Sequence, residues 1–346
     1  MTKNNKKIAF RQTGFSLVEI LVGLVIGLLA TLVIMQVFSV FDGQKRSTSG
    51  NSDAQTNGSI ALNNIQRDVQ MAGFGLPMPM ADKDNAVLKC NPSPAKLFPV
   101  LIEEGAAGAS DTITIRYSTT ALGAIPVKIN DPANALSFGL TVENNIGCKD
   151  NDVVLIANGT SCVMTTAKDA NGAPDTLINI TLAPATPVGS PIVIGAKLAC
   201  MGNWQDYKYE VVNDQLELNG VPSIAEIVNI QAQYGVSASA TSNQVNEWVD
   251  ATGTWAAPTV ADRNRIKALR IAVVARNGLL EKTVVTNTCT TTKGTANNGP
   301  CAWDDTDYDA APMIDLSDDA NWQRYRYRSF ETIIPLRNML WSKGAL

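Results

Sequence analysis

The chain has no histidine among its 346 residues. This absence excludes a Ser-His-Asp triad, a Cys-His pair and every metal site that needs an imidazole ligand. The sequence also lacks a C-x-x-C motif, a Walker motif, a nucleotide-binding glycine loop and a nucleophile elbow. It therefore predicts a protein that is not an enzyme, with no catalytic residue, no cofactor and no metal ligand.

Acidic residues are missing from the first 18 positions, which contain the basic residues Lys3, Lys6, Lys7 and Arg11. Over the whole chain, however, 28 basic residues stand against 32 acidic ones. Without residues 1–14 the count becomes 24 basic against 32 acidic, a net charge of −8. Direct binding of nucleic acid uses a broad basic patch, so this balance argues against it.

Polar side chains are almost absent from residues 15–41. Between positions 20 and 40 only one threonine, one glutamine and one serine interrupt the apolar residues and glycines. A helix needs ~20 apolar residues to cross the hydrocarbon core of a bilayer. The charges beside this stretch precede it and are basic, which predicts a cytoplasmic N-terminus and an exported remainder.

Gly14 and Phe15 join the basic leader to the apolar stretch, and Glu19 follows near its start. A basic leader, then Gly, Phe, Ser, Leu, any residue and Glu, and then some twenty apolar residues resembles the type IV prepilin signal. The resemblance implies that a prepilin peptidase cuts after Gly14 and that Phe15 becomes the methylated N-terminus. An ordinary secretory signal precedes its cleavage site and is lost. A plain signal anchor is the alternative.

Glu19 is the one acid in the apolar stretch, and it is predicted to act in assembly. A charge at the centre of a bilayer costs ~2.5–3.5 kcal/mol on insertion scales, and lipid offers it no partner. In a fibre, the new amine at Phe15, its own or that of a neighbour, is the candidate partner. Gly23 and Gly27 form a G-x-x-x-G pattern that lets helices approach closely, which supports assembly.

A long helix is predicted from Phe15 to about Ala72, bent or melted near residues 43–58, where glycines weaken it. Apolar residues then recur at near-helical spacing: Ile60, Leu62, Ile65, Val69 and Ala72. Gly73 suits a left-handed C-cap. Residues 15–41 thus form the transmembrane or assembly part, and residues 42–75 the periplasmic half of the helix.

Residues 65–77, IQRDVQMAGFGLP, resemble the end of the first helix in PilW-type minor pilins. Arg67 and Asp68 within this segment are interpreted as a solvated face. Residues 207–236, 264–281 and 322–341 resemble the same family, and more weakly the minor pseudopilins of type II secretion. Residues 76–206 contain no motif that we can assign, so a particular specificity is expected there.

The helical period disappears after about residue 85, and short β-rich runs alternate with turn residues. The predicted strands are Thr112–Ser118, Ile125–Ile129, Val153–Ala157, Leu177–Ala183, Pro191–Lys197, Tyr207–Val212, Gln215–Leu218, 266–276 and Tyr325–Ile334. Residues 220–236 are expected to join a short helical turn or strand to a strand that ends at Tyr234 and Gly235. The predicted fold class is α+β and pilin-like. A cleaved leader (1–14) and the long helix precede a β-rich periplasmic domain of antiparallel strands (76–346).

Six cysteines are expected to form three disulfides in an oxidising periplasm. Short loops rich in Gly, Asn and Thr favour Cys148–Cys162 and Cys289–Cys301, which leaves Cys90–Cys200 by default. Sequence alone does not choose among the 15 possible pairings.

Residues 304–319 contain seven acids. Asp305, Asp307 and Asp309 alternate like the first ligands of an EF-hand, but Ala310 and Leu316 break the pattern. A solvated acidic loop is the preferred interpretation, and a calcium site of another geometry stays open.

The resemblance implies a minor pilin of a Gram-negative type IV pilus, which primes assembly or forms the tip. Such a subunit supports twitching motility, adhesion or DNA uptake. The implied partners are other minor pilins, the major pilin, the prepilin peptidase and the inner-membrane assembly platform. The alternatives are a minor pseudopilin of type II secretion and, from another class, a membrane-anchored adhesin.

Overall fold

A computed structural model describes residues 14–77, 97–119, 125–131, 141–143, 148–158, 161–167, 196–304 and 311–341. The described chain forms two compact units, which meet in the sequence between Gly50 and Asn51. The helices are α1 (Leu17–Met71), α2 (Val260–Arg263) and α3 (Arg337–Trp341).

Helix α1 covers almost the whole predicted range and is continuous through residues 43–58, so the expected melting does not occur. Tertiary packing explains the second part of this range. Ala54 and Gly58 are already buried against the β domain, and packing of an apolar face stabilises helices more than propensity does. Farther along, Ile65 and Val69 are fully buried in the main core.

The β domain contains sixteen described strands. They are β1 (Val100–Glu103), β2 (Thr112–Ser118), β3 (Val127–Asp131), β4 (Thr141–Val142), β5 (Val153–Asn158), β6 (Ser161–Thr166), β7 (Lys197–Gly202), β8 (Trp204–Val212), β9 (Gln215–Leu218), β10 (Val221–Ala225), β11 (Ile227–Val236), β12 (Glu247–Val249), β13 (Ile266–Arg276), β14 (Cys289–Thr290), β15 (Ala296–Asn297) and β16 (Tyr327–Pro335). Every pairing between them is antiparallel, as the predicted fold class requires.

Two sheets build the main core. One has the order β1-β2-β8-β9-β10, and the other has the order β12-β11-β13-β16. Strand β13 is buried along its entire length, because one face of its sheet packs on the main core and the other face is covered by a loop. The covering loop contributes Ala302, Ile314, Leu316 and Trp322 to a separate apolar cluster.

A third sheet, of order β4-β3-β7-β5-β6, is an insertion. Strands β2 and β8 pair directly, with Ser118 opposite Trp204, so the chain between them leaves the main sheet and returns to it. The insertion has a small core of its own, which includes Ile129, Val154 and Leu198. The predicted strand Leu177–Ala183 and most of Pro191–Lys197 lie outside the described residues.

The disulfides differ in part from the expected pairing. Cys289 is bonded to Cys301, as the spacing favours, with Cα atoms 5.7 Å apart. Cys148 is bonded to Cys200 across a Cα distance of 5.4 Å, so the expected Cys148–Cys162 and Cys90–Cys200 pairings are wrong. Strand pairing explains the error. Strand β5 lies between β6, which carries Cys162, and β7, which carries Cys200. Cys162 is disulfide-bonded too, and Cys90 lies outside the described residues.

Candidate functional site

The first part of α1 is an exposed apolar surface. Every residue from Gly14 to Lys45 is exposed, and the large side chains from Leu17 to Phe41 are between about one half and three quarters accessible. Soluble proteins rarely expose contiguous apolar patches of this kind. The most apolar 18-residue window of α1 has a mean hydropathy of 2.8 and no buried residue, so by length and composition α1 is able to cross a membrane.

The residues of the predicted signal lie at the start of this surface. Gly14 and Phe15 precede the helix, and Phe15 is 79 % exposed. Glu19 is in the first turn, where its amide donates to the carbonyl of Ser16 at 3.0 Å. An acid in the first turn interacts favourably with the helix dipole. Its carboxylate forms no ion pair with a residue that the structure describes.

Gly23 and Gly27 also lie in open space. A Cβ atom added at either position would meet nothing within 4 Å. Residues four apart share one face of a helix, so the two glycines form a shallow site at which another helix can approach closely. This geometry agrees with an assembly surface but does not select a partner.

The opposite end of α1 holds a buried polar cluster that the sequence interpretation missed. Asp68 is only 2 % exposed, so the expectation of a solvated face is wrong for this residue. Its Oδ2 accepts a hydrogen bond from the hydroxyl of Tyr209 at 2.5 Å, and its Oδ1 lies 3.2 Å from the Nε of Arg67. Burial, and next the hydrogen bond to Asp68, raise the pKa of Tyr209 well above its usual range. Arg67 itself is 71 % exposed, as predicted.

A glycine turn ends α1 beside this cluster. Gly73 has a φ of +76° and Gly75 has a φ of +77°, values that residues other than glycine adopt only with strain. The amide of Gly73 donates to the carbonyl of Arg116 at 2.9 Å, and the amide of Ser118 donates to the carbonyl of Phe74 at 2.8 Å. The turn therefore ties the helix end to β2, and Gly73 occupies the predicted left-handed position.

A second buried acid connects the two main sheets. The Oδ1 of Asp111 accepts from the amide of Gly105, and its Oδ2 accepts from the amide of Ala232 in β11, both at 2.8 Å. Burial, and next the charge of Glu104, raise the pKa of Asp111 to about 8. Burial and Asp250 raise the pKa of Glu104 in the same direction. These carboxyls bind backbone amides, which is a structural role.

The acidic loop, for which a calcium site stayed open, is only partly described. Asp305, Asp307 and Asp309 lie outside the described residues. Within the described part of the chain, no group of three or more acids, cysteines or histidines is placed so as to hold a metal ion. Asp304 instead accepts hydrogen bonds from the amide and the hydroxyl of Thr292.

An exposed apolar helix segment, followed by a helical half that packs on antiparallel sheets, defines the pilin-like α+β class. The family model described as PilW, Type IV Pilus-assembly protein W, matches residues 204–338. This segment starts at β8, includes the whole β12-β11-β13-β16 sheet and ends in α3. The resemblance to PilW-type pilus proteins is thereby confirmed over this segment. No curated protein and no solved structure matches the chain.

The match contains two of the four stretches that resembled this family in the sequence, 207–236 and 264–281, and most of 322–341. The insertion sheet lies outside it. The sequence did not predict the hydrogen bond between Tyr209 and Asp68, or the bonds of Asp111 to backbone amides. A buried acid has no periodic signature of its own, so the sole signal was that Asp68 falls on the same helical face as the apolar residues around it.

Proposed function

We propose that the chain is a minor pilin precursor, which a prepilin peptidase cuts after Gly14 and which then carries a methylated Phe15. Before assembly, residues 15–41 hold it in the inner membrane with the β domain in the periplasm. The exposed apolar surface of α1 carries this proposal, since the chain has no apolar cover for it among the described residues. The pilus-assembly family match supports the same assignment.

Assembly then transfers the apolar helix from lipid into the core of a helical fibre. Apolar burial is exchanged in this step rather than created, so it supplies little net free energy. Specific polar contacts must therefore set the register. Glu19 is the candidate, because its carboxylate gains a partner if the amine of Phe15 from a neighbouring subunit lies beside it in a low dielectric.

The role in the pilus is priming of assembly or formation of the tip with other minor pilins. The partners are the major pilin, the other minor pilins and the inner-membrane assembly platform. Twitching motility, adhesion or DNA uptake would depend on the subunit through the pilus. The adhesin alternative gains no support, since a plain anchor needs neither the Gly14–Phe15 junction nor Glu19.

N-terminal sequencing of the protein from wild-type membranes and from sheared pili tests the proposal. The expected first residue is N-methyl-Phe15 in both fractions. Gly14→Val should leave the full-length precursor in the membrane, because a branched side chain blocks the peptidase. The matched control Gly23→Val lies beyond the cut and should be processed normally. A mature chain that keeps Met1 contradicts the proposal.

A further inference from the structure

Strand β16 is a free edge of the sheet that the family model matches. The strand order is β12-β11-β13-β16, and β16 pairs with β13 along all of Tyr327–Pro335. No strand among the residues that the structure describes lies on its other side. A free edge offers unpaired backbone groups to another chain.

The hydrogen bonds at both ends of β16 show which of its backbone groups face outward. The amide of Asn277 donates to the carbonyl of Arg326, and the amide of Leu336 donates to the carbonyl of Lys267. Successive residues of an antiparallel strand alternate between its two neighbours. The N–H and C=O groups of the even-numbered residues of β16 therefore point toward β13. Those of Ser329, Glu331 and Ile333 point away from it.

The apolar surface beside this edge is incompletely covered. Phe330 lies on the face that packs on α1, and it is only partly buried, as is Leu62 of the helix. Ile333 lies on the opposite face and is 40 % exposed. An added strand with alternating apolar side chains would cover apolar groups on both faces of the sheet, which is how strand addition gains specificity.

A second copy paired through β16 does not fit. The second half of α1 runs in the same direction as β16, since Gln55 contacts Arg328 and the carbonyl of Gln70 contacts Asn338. An antiparallel β16–β16 pair would reverse the second half of one α1 relative to that of the other. It would also place no acid opposite Arg328, because β16 has no acidic residue among its last four positions, so the added strand is a different segment.

Charge indicates which end of the added strand is acidic. Arg328 is exposed, donates to the neutral Gln55 at 2.9 Å and has no ion pair with a described residue. Opposite charges across neighbouring strands are favourable by ~0.2–1 kcal/mol. In an antiparallel arrangement, the last residues of the partner strand lie opposite the start of β16, where Arg328 is.

We propose that the free edge of β16 receives an extended antiparallel segment of another pilus subunit. The segment has apolar side chains at alternate positions and an acidic residue near its C-terminal end. The identity of the donor as a pilus subunit rests on the proposed function, whereas the strand addition rests on the geometry of β16 alone.

The test uses the full chain in detergent and two fluorescent peptides of nine residues. Both peptides alternate valine and threonine, and they end in two glutamates or in two lysines. We expect the acidic peptide to bind the wild-type chain more tightly than the basic one, and Arg328→Glu to reverse this order. The N–H of Ile333 points outward and does not bond to β13. Ile333→Pro removes it and should weaken peptide binding about tenfold. Ile333→Thr keeps the N–H and should weaken it far less.

Thermal unfolding of each variant controls for misfolding, since a proline on a free edge should leave the unfolding midpoint close to that of the wild type. The proposal is overturned if neither peptide binds the wild-type chain at about 1 mM. Equal binding by Ile333→Pro overturns it as well. Entry of Ile333→Pro into pili is a separate readout: wild-type entry with lost peptide binding would refute the pilus donor but keep the strand-addition site.

Discussion

The two parts of α1 place similar residues in opposite surroundings. In the part that packs on the β domain, Asp68 is buried and bonded to Tyr209, and a Cβ on Gly58 would collide with Phe330. In the apolar part, Glu19 has no side-chain partner among the described residues, and nothing lies near Gly27. The second part has its contacts within the chain, whereas the first part is exposed throughout.

The largest expected effect is that of Glu19→Val. The variant should be cleaved and inserted normally but should be lost from pili, because a valine cannot pair with the amine of Phe15. Glu19→Asp should be intermediate. Immunoblots of sheared pili against the membrane fraction measure this, together with twitching in a strain that carries only the variant. Entry of Glu19→Val at the wild-type level would mean that Glu19 has no role in assembly.

Asp111 is expected to make folding stability fall as the pH rises. Its pKa is about 8 in the folded protein, above the ordinary value of 3.8, so the folded state binds the proton more tightly. Its contribution is therefore complete below the ordinary pKa and is lost as the pH rises through the folded one. The chain has no histidine that would titrate in this window.

Thermal unfolding of the full chain in detergent at about pH 5 and about pH 8 measures this dependence. The midpoint should be lower at the higher pH, and Asp111→Asn should reduce the difference. Asp315→Asn is the matched control, since hydrogen bonds to Ser317 lower the pKa of Asp315 and its titration ends below this window. An unchanged pH dependence in Asp111→Asn would contradict the assignment.

Local patterns predicted the parts of the fold that depend on local sequence. The helix was expected from Phe15 to about Ala72 and extends from Leu17 to Met71, and β2 was expected over its observed range. The pairing of Cys148 with Cys200 was not predictable in this way. It depends on β7 lying beside β5, and their residues are far apart in the chain. The burial of Asp68 likewise depends on β8, which carries Tyr209.

Tyr209→Phe tests whether Asp68 is satisfied within the chain. The change leaves a buried carboxylate without its hydroxyl donor, and hydrogen bonds to charged groups contribute about 1.5–3 kcal/mol. We expect a loss of this size in the free energy of unfolding, measured by urea denaturation of the full chain in detergent. Tyr207→Phe is the matched control, because Tyr207 is only partly buried and its hydroxyl bonds to Tyr117 rather than to a carboxylate. Equal losses would argue against a special role of the Asp68 bond.

The smallest expected effect comes from adding one methyl group to a glycine in each part of α1, at Gly58 and at Gly27. At Gly58 a Cβ would collide with the ring of Phe330, a half-buried side chain with some room to move. Overpacking of this kind costs typically about 1–3 kcal/mol, and the better helix propensity of alanine offsets up to about 1 kcal/mol of it. Gly58→Ala should therefore lower the free energy of unfolding slightly, and Phe330→Leu in the same chain should restore it. Gly27→Ala has open space in the chain and should not destabilise it. If Gly27→Ala nevertheless reduces entry into pili, another helix approaches at that position. If Gly27→Ala destabilises the isolated chain, the first part of α1 has contacts within the chain, and the contrast between the two parts is wrong.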